Sequence, residues 1–222
     1  MPGPVEAMLA VAGGKGGCGK TTTALGLAAA FADQRRRPLA VDADADMPNL
    51  HAVADVAADR DEPRLDAVAT GTSPRDAARP SGRFPGVDVL PGTPGVDLAA
   101  ALRALRGLDR PVVVDTAAGA SEVAVHPLRA ADAAFVVTTP RPQSVEDALK
   151  TAAMARALDT PVAGVVVNRA DDVPDGVAAA FDAPVVAVLP AVGRRPLSDP
   201  RVQAALDGLA ADWSPDRPEK QG

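Results

Sequence analysis

The chain has 222 residues, 47% of them apolar, and a formal net charge of −6. This length falls within the range of one domain, and the apolar fraction is large enough for one substantial core. The acidic balance excludes a surface that attracts DNA or anionic membranes as a whole, and the single cysteine, Cys18, excludes an internal disulfide.

Seven short runs rich in valine predict buried strands, separated by helical patterns. The runs cover residues 7–13, 37–44, 86–92, 110–117, 133–140, 161–168 and 184–190. The helical patterns cover 21–34, 97–108 and 144–158, with a further helix after Asp199 whose first turn suits Pro200. Ser144 and Asp147 have the spacing of a capping box at the start of the third pattern. Because parallel strands that are apolar on both faces need helices on each side, the sequence predicts an α/β fold with a mostly parallel twisted sheet of about seven strands and helices on both faces.

The regions outside these elements are polar. Residues 59–85 are rich in Pro, Arg, Asp and Gly, which predicts a surface excursion with a short helix near 65–69. We expect residues 1–213 to form a single domain and the polar residues 214–222 to be a disordered tail. The N-terminus lacks the pattern of a signal peptide, and no apolar run approaches the roughly 18 residues that span a bilayer. A soluble cytoplasmic protein is therefore expected.

Residues 14–21 spell G-x-x-x-x-G-K-T between a predicted strand and a predicted helix. In that context the glycines let backbone N–H groups surround phosphates, and the start of the helix adds partial positive charge. Lys20 is predicted to reach the β- and γ-phosphates, and the Thr21 hydroxyl to coordinate Mg²⁺. The nucleotide-binding residues predicted in this segment are Gly14, Lys15, Gly16, Gly17, Cys18, Gly19, Lys20, Thr21 and Thr22.

The second lysine of this segment, Lys15, needs its own explanation. A phosphate loop requires one lysine, and two ammonium groups ~6 Å apart repel by about 3 kcal/mol at an effective dielectric of ~20. Contact between Lys15 and the nucleotide of a second subunit would offset that repulsion, because a triphosphate is strongly negative. A lysine that is simply solvated is the alternative.

The segment KGGCGKTT (15–22) resembles the deviant Walker A signature of the MinD/ParA class of P-loop ATPases, within the SIMIBI class. The resemblance implies binding of ATP and Mg²⁺, and a homodimer in which Lys15, as the signature lysine, reaches the phosphates of the partner subunit. It extends to VVTTPRPQSVEDAL (136–149) and GVVVNR (164–169), and thus covers nearly the whole chain.

Two predicted strands end in aspartates, in the segments 40–46 and 112–119. The carboxyl ends of parallel strands form the ligand-binding edge of an open α/β sheet, so these carboxylates are expected beside the phosphate loop. Asp115 is expected to hold Mg²⁺ through a water molecule. By the resemblance, Asp42 supports the metal and Asp44 positions the attacking water, with Asp46 as an alternative for either role.

The resemblance also implies three nucleotide contacts outside the phosphate loop. Gly119 lies in a segment similar to the second switch of the class, where its N–H is expected to sense the γ-phosphate. Asn168 and Arg169 match the adenine-contacting segment, and Asn168 is expected to hydrogen-bond to the base; a strand-end turn is the alternative. Cys18 occupies the variable position of the signature, where we expect packing rather than redox sensing.

These features predict an ATPase with Lys15, Lys20 and Asp44 as its catalytic residues, slow in turnover and stimulated by a protein partner. The resemblance is nearest to MinD-like spatial regulators that dimerise on MgATP. The alternatives are a ParA-like partition ATPase that binds nonspecific DNA through Arg194, Arg195 and Arg201, and a non-hydrolysing scaffold gated by nucleotide. A metabolic P-loop enzyme such as a small-molecule ligase is a third alternative, disfavoured because Lys15 would have no task in it. An iron–sulfur cluster is not expected, because Cys18 is the only cysteine.

The last predicted helix bears on membrane contact. Its sequence, DPRVQAALDGLAADW (199–213), places one apolar face on Val202, Leu206, Leu209 and Trp213. Helices that lie on lipid carry a basic polar face, whereas this one carries Asp207 and Asp212. We therefore expect the apolar face to pack on the sheet, and any location at the membrane to depend on a protein partner.

Overall fold

The computed structural model describes residues 7–57, 62, 64–119 and 121–213, and among them eight strands form one sheet. In chain order the strands are β1 (Met8–Ala12), β2 (Leu39–Ala43), β3 (Arg79–Pro80), β4 (Asp88–Leu90), β5 (Val112–Thr116), β6 (Ala133–Thr138), β7 (Val162–Asn168) and β8 (Val185–Leu189). Their order across the sheet is β3-β4-β2-β5-β1-β6-β7-β8, and every neighbouring pair is parallel except β3 with β4. The tail predicted at 214–222 lies outside the described residues.

The predicted α/β fold is confirmed, and each of the seven valine-rich runs contains one of the parallel strands. The additional strand, β3, has only two residues and includes Pro80. Proline has no N–H to donate to a ladder, so it is tolerated at the edge of a sheet, which is where β3 lies. A strand of two residues is too short to show an alternating pattern, so β3 could not be predicted from the sequence.

The helices lie between the strands, as the alternation predicted. They are α1 (Lys20–Asp33), α2 (Leu50–Val53), α3 (Leu65–Ala69), α4 (Pro74–Ala77), α5 (Leu98–Ala104), α6 (Glu122–Ala130), α7 (Pro142–Ala157), α8 (Val177–Phe181) and α9 (Pro200–Asp212), with a 3₁₀ turn at Pro196–Ser198. The short helix expected near 65–69 is α3. Helices α2, α4, α6 and α8 have no counterpart among the predicted helices. Three of them have only four or five residues, and α6 contains Pro127, a residue that disfavours the interior of a helix.

The capping box predicted from Ser144 and Asp147 is wrong. Helix α7 already begins at Pro142, since proline at the first helical turn fixes a helical φ without the loss of a needed hydrogen bond. The Ser144 hydroxyl is buried and instead accepts the Thr139 N–H at 3.0 Å, and it lies 3.2 Å from the Thr138 hydroxyl. Ser144 thus ties the start of α7 to the end of β6.

Both faces of the sheet are covered, as β1 shows directly. Leu9 and Val11 belong to the apolar cluster that contains residues of α1 and α9, such as Leu25 and Leu206. Residues Ala10 and Ala12, which alternate with them, belong to a second cluster with side chains of α6 and α7. This alternation is expected of a strand buried on both sides.

The apolar face of α9 is packed against the protein, as expected. Val202, Leu206 and Leu209 are each no more than 4% exposed. The Trp213 ring meets the ring of Phe135 on β6 edge-on, with centroids 5.5 Å apart. This stripe is therefore covered by α1 and the sheet. No helix in the described part of the chain combines the length and apolarity that crossing a membrane requires.

Two helical glycines give a matched test of this packing. Gly208 on α9 has nothing within 4 Å of the place where a Cβ would lie, whereas a Cβ on Gly26 of α1 would lie 2.3 Å from Leu206 Cδ1 and 2.7 Å from Leu197 Cδ2. We expect Gly208→Ala to raise the free energy of unfolding by roughly 0.5–1 kcal/mol through helix propensity. Gly26→Ala is expected to lower it by about 1–3 kcal/mol through overpacking. Urea unfolding measures both, and shifts in the same direction would contradict this packing.

Candidate functional site

Parallel strands end at a common edge, and the predicted site residues lie at or just after the carboxyl ends of four strands, β2, β5, β1 and β7. From β1 the chain passes through α1 to β2 on one side, whereas from β5 it passes through α6 to β6 on the other side. The strand order therefore changes direction beside β1. Ligands of open α/β sheets bind at such a point.

The phosphate loop (residues 13–19) connects β1 to α1. Gly17 and Gly19 have φ values of 76° and 106°, a left-handed backbone that favours glycine. Gly16 and Gly17 are exposed, and among the described residues neither of their N–H groups donates to a backbone carbonyl. Unbonded N–H groups just before a helix N-terminus attract an anion. This segment therefore has the geometry of a phosphate cradle.

The phosphate loop packs closely on α7. A Cβ on Gly14 would lie 1.9 Å from the backbone carbonyl carbon of Asp147 and 2.4 Å from the Ala148 nitrogen, so any side chain at position 14 would separate the loop from the helix. The loop is also bonded to the segment after β5, where the Gly119 N–H donates to the Gly13 carbonyl at 3.0 Å. Gly119 thus lies against the phosphate loop, and its expected contact with a γ-phosphate stays a prediction.

The two lysines of the phosphate loop point to different surroundings. Lys20 is buried, and its Nζ lies 3.4 Å from the Lys15 carbonyl oxygen, across the loop. Lys15 is exposed. The pKa of Asp147 is held below its ordinary value mainly by a hydrogen bond from Lys150, with a smaller contribution from the charge of Lys15. Lys15 is therefore exposed to solvent near Asp147 of α7, whereas Lys20 is buried.

The two strand-end aspartates are brought together. Asp42 on β2 and Asp115 on β5 are register partners on adjacent strands, and their exposed fractions are 1% and 2%. Asp42 accepts the N–H of Leu50 at 2.9 Å and that of Asp44 at 3.2 Å. The Thr21 hydroxyl is close enough to lower the pKa of Asp115, and Asp115 Oδ1 is buried with no hydrogen-bond partner among the described residues.

Burial raises the pKa of both carboxyls. The pKa of Asp42 rises to about 6, against the lowering effect of the backbone N–H groups that it accepts. The pKa of Asp115 rises to about 7, because burial and the charge of Asp42 outweigh the effect of the Thr21 hydroxyl and the charge of Lys20. Two carboxylates held this close in a buried position favour a shared cation or a proton.

The donor set fits Mg²⁺, which prefers hard oxygen ligands and keeps several waters. Two buried carboxylates and a hydroxyl meet at the start of α1, and the unpartnered Oδ1 of Asp115 leaves an acceptor that needs a cation or a donor. The residues that would hold the ion are those predicted from the sequence, Thr21, Asp42 and Asp115. Their role as ligands stays a prediction.

Asp44 and Asp46, in the segment after β2, differ in their hydrogen bonds and in their exposure. Asp44 Oδ1 accepts the N–H groups of Asp46 at 3.2 Å and Met47 at 3.1 Å, so this carboxylate shapes the turn. Its charge also contributes to the raised pKa values of Asp42 and Asp115. Asp46 is exposed at the tip of the turn. Asp44 is therefore the carboxylate of this segment that is coupled to the buried pair.

Asn168 and Arg169 are at the end of β7, beside the phosphate loop. Asn168 Nδ2 donates to the Cys18 carbonyl at 2.7 Å, and Asn168 Oδ1 accepts the Arg169 N–H at 2.9 Å. Arg169 is exposed with φ 58°. Contact with adenine remains a prediction for both residues. Cys18 is only 3% exposed and belongs to a core cluster, which confirms that it packs.

The sequence reasoning missed Gly92, which follows β4. A Cβ at this position would lie 2.8 Å from the Asp42 carbonyl oxygen and 2.9 Å from Pro48 Cβ, so a larger residue would displace the segment that carries Asp42. Gly92 supports the site through close approach of backbone. Its signal in the sequence was a glycine at the carboxyl end of a predicted strand, which alone does not distinguish a close approach from a turn.

The fold and the site define an α/β nucleotide-binding protein of the P-loop type. Residues 9–191 match the family described as the CobQ/CobB/MinD/ParA nucleotide binding domain, and the chain belongs to this family. An uncharacterised ATP-binding protein of Methanocaldococcus jannaschii is 30% identical over 229 residues, which cover 96% of this chain and 83% of that protein. The resemblance to MinD/ParA ATPases found in the sequence is confirmed.

The names of two further similar proteins state a cellular role. The antiactivator FleN of Pseudomonas aeruginosa is 32% identical over 157 residues, which cover 65% of this chain and 54% of FleN. The structure of the septum site-determining protein MinD from Pyrococcus horikoshii, in complex with Mg-ADP, superposes with a TM-score of 0.80 at 26% identity, covering 92% of this chain and 94% of that one. A structurally similar protein thus binds a magnesium nucleotide.

Proposed function

We propose that this protein binds MgATP at the phosphate loop, dimerises on it and hydrolyses it slowly. The observation that carries the proposal is the arrangement of the two lysines. Lys20 is buried, with its ammonium 3.4 Å from the Lys15 carbonyl, where it can reach phosphates held by its own subunit, whereas the Lys15 side chain is exposed to solvent. A second copy facing the loop would place its nucleotide within reach of Lys15, which gives this lysine a function that a monomer lacks.

The proposed reaction assigns a task to each group. The N–H groups of the phosphate loop and the Lys20 ammonium bind the β- and γ-phosphates, and Thr21, Asp42 and Asp115 hold the magnesium ion. When bound, Mg²⁺ neutralises charge on the phosphate oxygens. Asp44 orients water in line with the γ-phosphate, and Lys15 of the second subunit stabilises the charge that develops there.

The cellular role proposed is that of a MinD-like switch, cytoplasmic and positioned by a protein partner that also stimulates hydrolysis. The names of the relatives support a regulatory role, since one is an antiactivator and another determines the septum site. The packing of α9 supports a protein partner as the route to any membrane location, because the apolar face of this helix is buried.

A ParA-like protein that binds nonspecific DNA is the second candidate. Arg194 and Arg195 are exposed after β8 and favour it. The third arginine of this group, Arg201, is held by Asp199 in an ion pair of 3.0 Å, which reduces the charge that it offers to a phosphate. The chain also has a net charge of −6, which opposes binding to the negatively charged DNA backbone. The DNA-binding hypothesis is therefore supported less well than the regulatory switch.

Asp44→Ala tests the proposed reaction. We expect the variant to bind MgATP but to release phosphate roughly 100-fold more slowly, because the water is no longer oriented. An ATP-bound dimer should then accumulate. Phosphate release and size-exclusion chromatography measure the two effects.

Asp46→Ala is the matched control, because it removes a carboxylate from the same turn at an exposed position. It is expected to hydrolyse ATP like the wild type. If the wild type shows no turnover and Asp44→Ala changes neither phosphate release nor the dimer, the protein is a nucleotide-gated scaffold instead.

A further inference from the structure

The side chain of Asn168 connects two distant parts of the chain at the site. Its Nδ2 donates to the carbonyl of Cys18, within the phosphate loop, at 2.7 Å, across 150 residues of sequence. Its Oδ1 accepts the N–H of Arg169 at 2.9 Å. Because one partner is an acceptor and the other a donor, the two bonds together fix which way the amide faces.

The same contact explains a glycine of the loop. A Cβ on Gly19 would lie 2.0 Å from Asn168 Nδ2, so a side chain at position 19 would collide with the amide. Gly19 has φ 106° and directly precedes the first residue of α1. Asn168 therefore packs against Gly19, the last residue of the phosphate loop before α1.

The backbone around Asn168 is held in place by β8. Asn168 is paired with Leu189 of β8, and the N–H of Ala170 donates to the Leu189 carbonyl at 3.1 Å. Between these two residues, Arg169 adopts φ 58°, a left-handed conformation that is costly for a residue with a Cβ and persists where surrounding contacts hold it. The amide is thus held on a constrained strand end, and the loop is held by the amide.

We infer that Asn168 is a positioning residue for the phosphate loop. Its amide holds the Cys18 carbonyl inward, so that residues 15–20 keep the conformation that binds a phosphate chain. The amide nitrogen has a second N–H, for which the described residues provide no acceptor, so it can bind the adenine base. One side chain then links occupation of the base site to the shape of the phosphate site. This inference rests on the proposed function and adds to the expected adenine contact an effect on phosphate binding itself.

The test uses a ligand without a base, inorganic tripolyphosphate with Mg²⁺, compared with MgATP by calorimetry. We expect Asn168→Ala to weaken tripolyphosphate binding roughly fivefold, the effect of one lost hydrogen bond. Asn168→Asp retains the acceptor for Arg169 but replaces the donor to Cys18 with a charged acceptor, so we expect it to weaken tripolyphosphate binding more than Asn168→Ala does, through repulsion of the anion as well as loss of the tether. Gln203→Ala is the matched control, because Gln203 Nε2 donates to the Leu197 carbonyl at 3.0 Å, an equivalent tether outside the site.

Hydrogen exchange of the nucleotide-free protein gives a second readout. Peptides that cover residues 13–20 should exchange faster in both Asn168 variants than in the wild type or in Gln203→Ala. If the variants lose affinity for MgATP alone, with tripolyphosphate binding and loop exchange unchanged, Asn168 only reads the base and the inference is wrong. If the wild type binds neither ligand, the proposed function fails and the inference fails with it.

Discussion

Asp115→Asn is expected to raise the free energy of unfolding of the nucleotide-free protein at pH 8 by roughly 2–4 kcal/mol, and to remove its magnesium-dependent affinity for ATP. The wild-type carboxyl is buried beside Asp42, and its pKa is raised to about 7. At pH 8 the folded protein must therefore hold this carboxylate ionised in an unfavourable position. Asparagine has the same shape without the charge, and its side-chain oxygen can accept from the Thr21 hydroxyl.

The pH dependence follows from the direction of the shifts. A carboxyl whose pKa is higher in the folded than in the unfolded state binds protons more tightly when folded, so it makes the protein less stable as the pH rises. For Asp42 and Asp115 this loss falls between the ordinary value near 3.8 and the raised values of about 6 and 7. The advantage of Asp115→Asn should therefore be smaller at pH 5 than at pH 8.

Urea unfolding in EDTA at the two pH values measures this difference, and calorimetry with ATP, with and without Mg²⁺, measures the loss of function. If the variant is more stable than the wild type and its affinity for ATP no longer depends on Mg²⁺, the role of Asp115 is to bind the ion and not to stabilise the fold. An Asp115→Asn variant that is less stable than the wild type at pH 8 would show that the carboxylate is structural.

The parts of the fold that were predictable are those encoded locally. The valine-rich runs specify buried strands by themselves, and Asp199 followed by Pro200 specifies the start of α9, where Asp199 Oδ1 accepts the Arg201 N–H at 2.9 Å. The capping box at Ser144 failed because the hydroxyl found a better partner in Thr139, on the preceding strand end. Helix α6 contains Pro127, and proline disfavours the interior of a helix, so local preference alone does not indicate this helix.

The site divides in the same way. The phosphate loop and the two strand-end aspartates could be placed from the sequence, because parallel strands bring their carboxyl ends to one edge. The close approach of Gly92 to Asp42 and the bond from Asn168 to Cys18 join segments that are distant in sequence. Without the fold, no spacing rule relates such residues, so these contacts required the structure.

The second large effect that we expect is a difference in MgATP affinity between variants of the two lysines of the phosphate loop. Lys20→Ala should weaken MgATP binding roughly 100-fold, because a buried ammonium forms charge-assisted hydrogen bonds with phosphate oxygens. Lys15→Ala should change the affinity of a single subunit by no more than about threefold, as expected for a charge that is exposed to solvent. Calorimetry on dilute protein measures both affinities.

Lys150→Ala is the control for these substitutions. It removes one exposed lysine from α7, where Lys150 pairs with Asp147 at 3.0 Å, and it should leave nucleotide binding unchanged. Equal losses of affinity in Lys15→Ala and Lys20→Ala would mean that both lysines bind the nucleotide of their own subunit, and the distinction between them would be lost.

Sedimentation velocity of the wild type and of Lys15→Ala, each with MgADP and with MgATP, tests the central claim most directly. The proposed mechanism predicts a dimer for the wild type with MgATP and monomers in the other three samples, including Lys15→Ala saturated with MgATP. A wild type that stays monomeric at saturating MgATP, or a Lys15→Ala variant that dimerises as the wild type does, would contradict it.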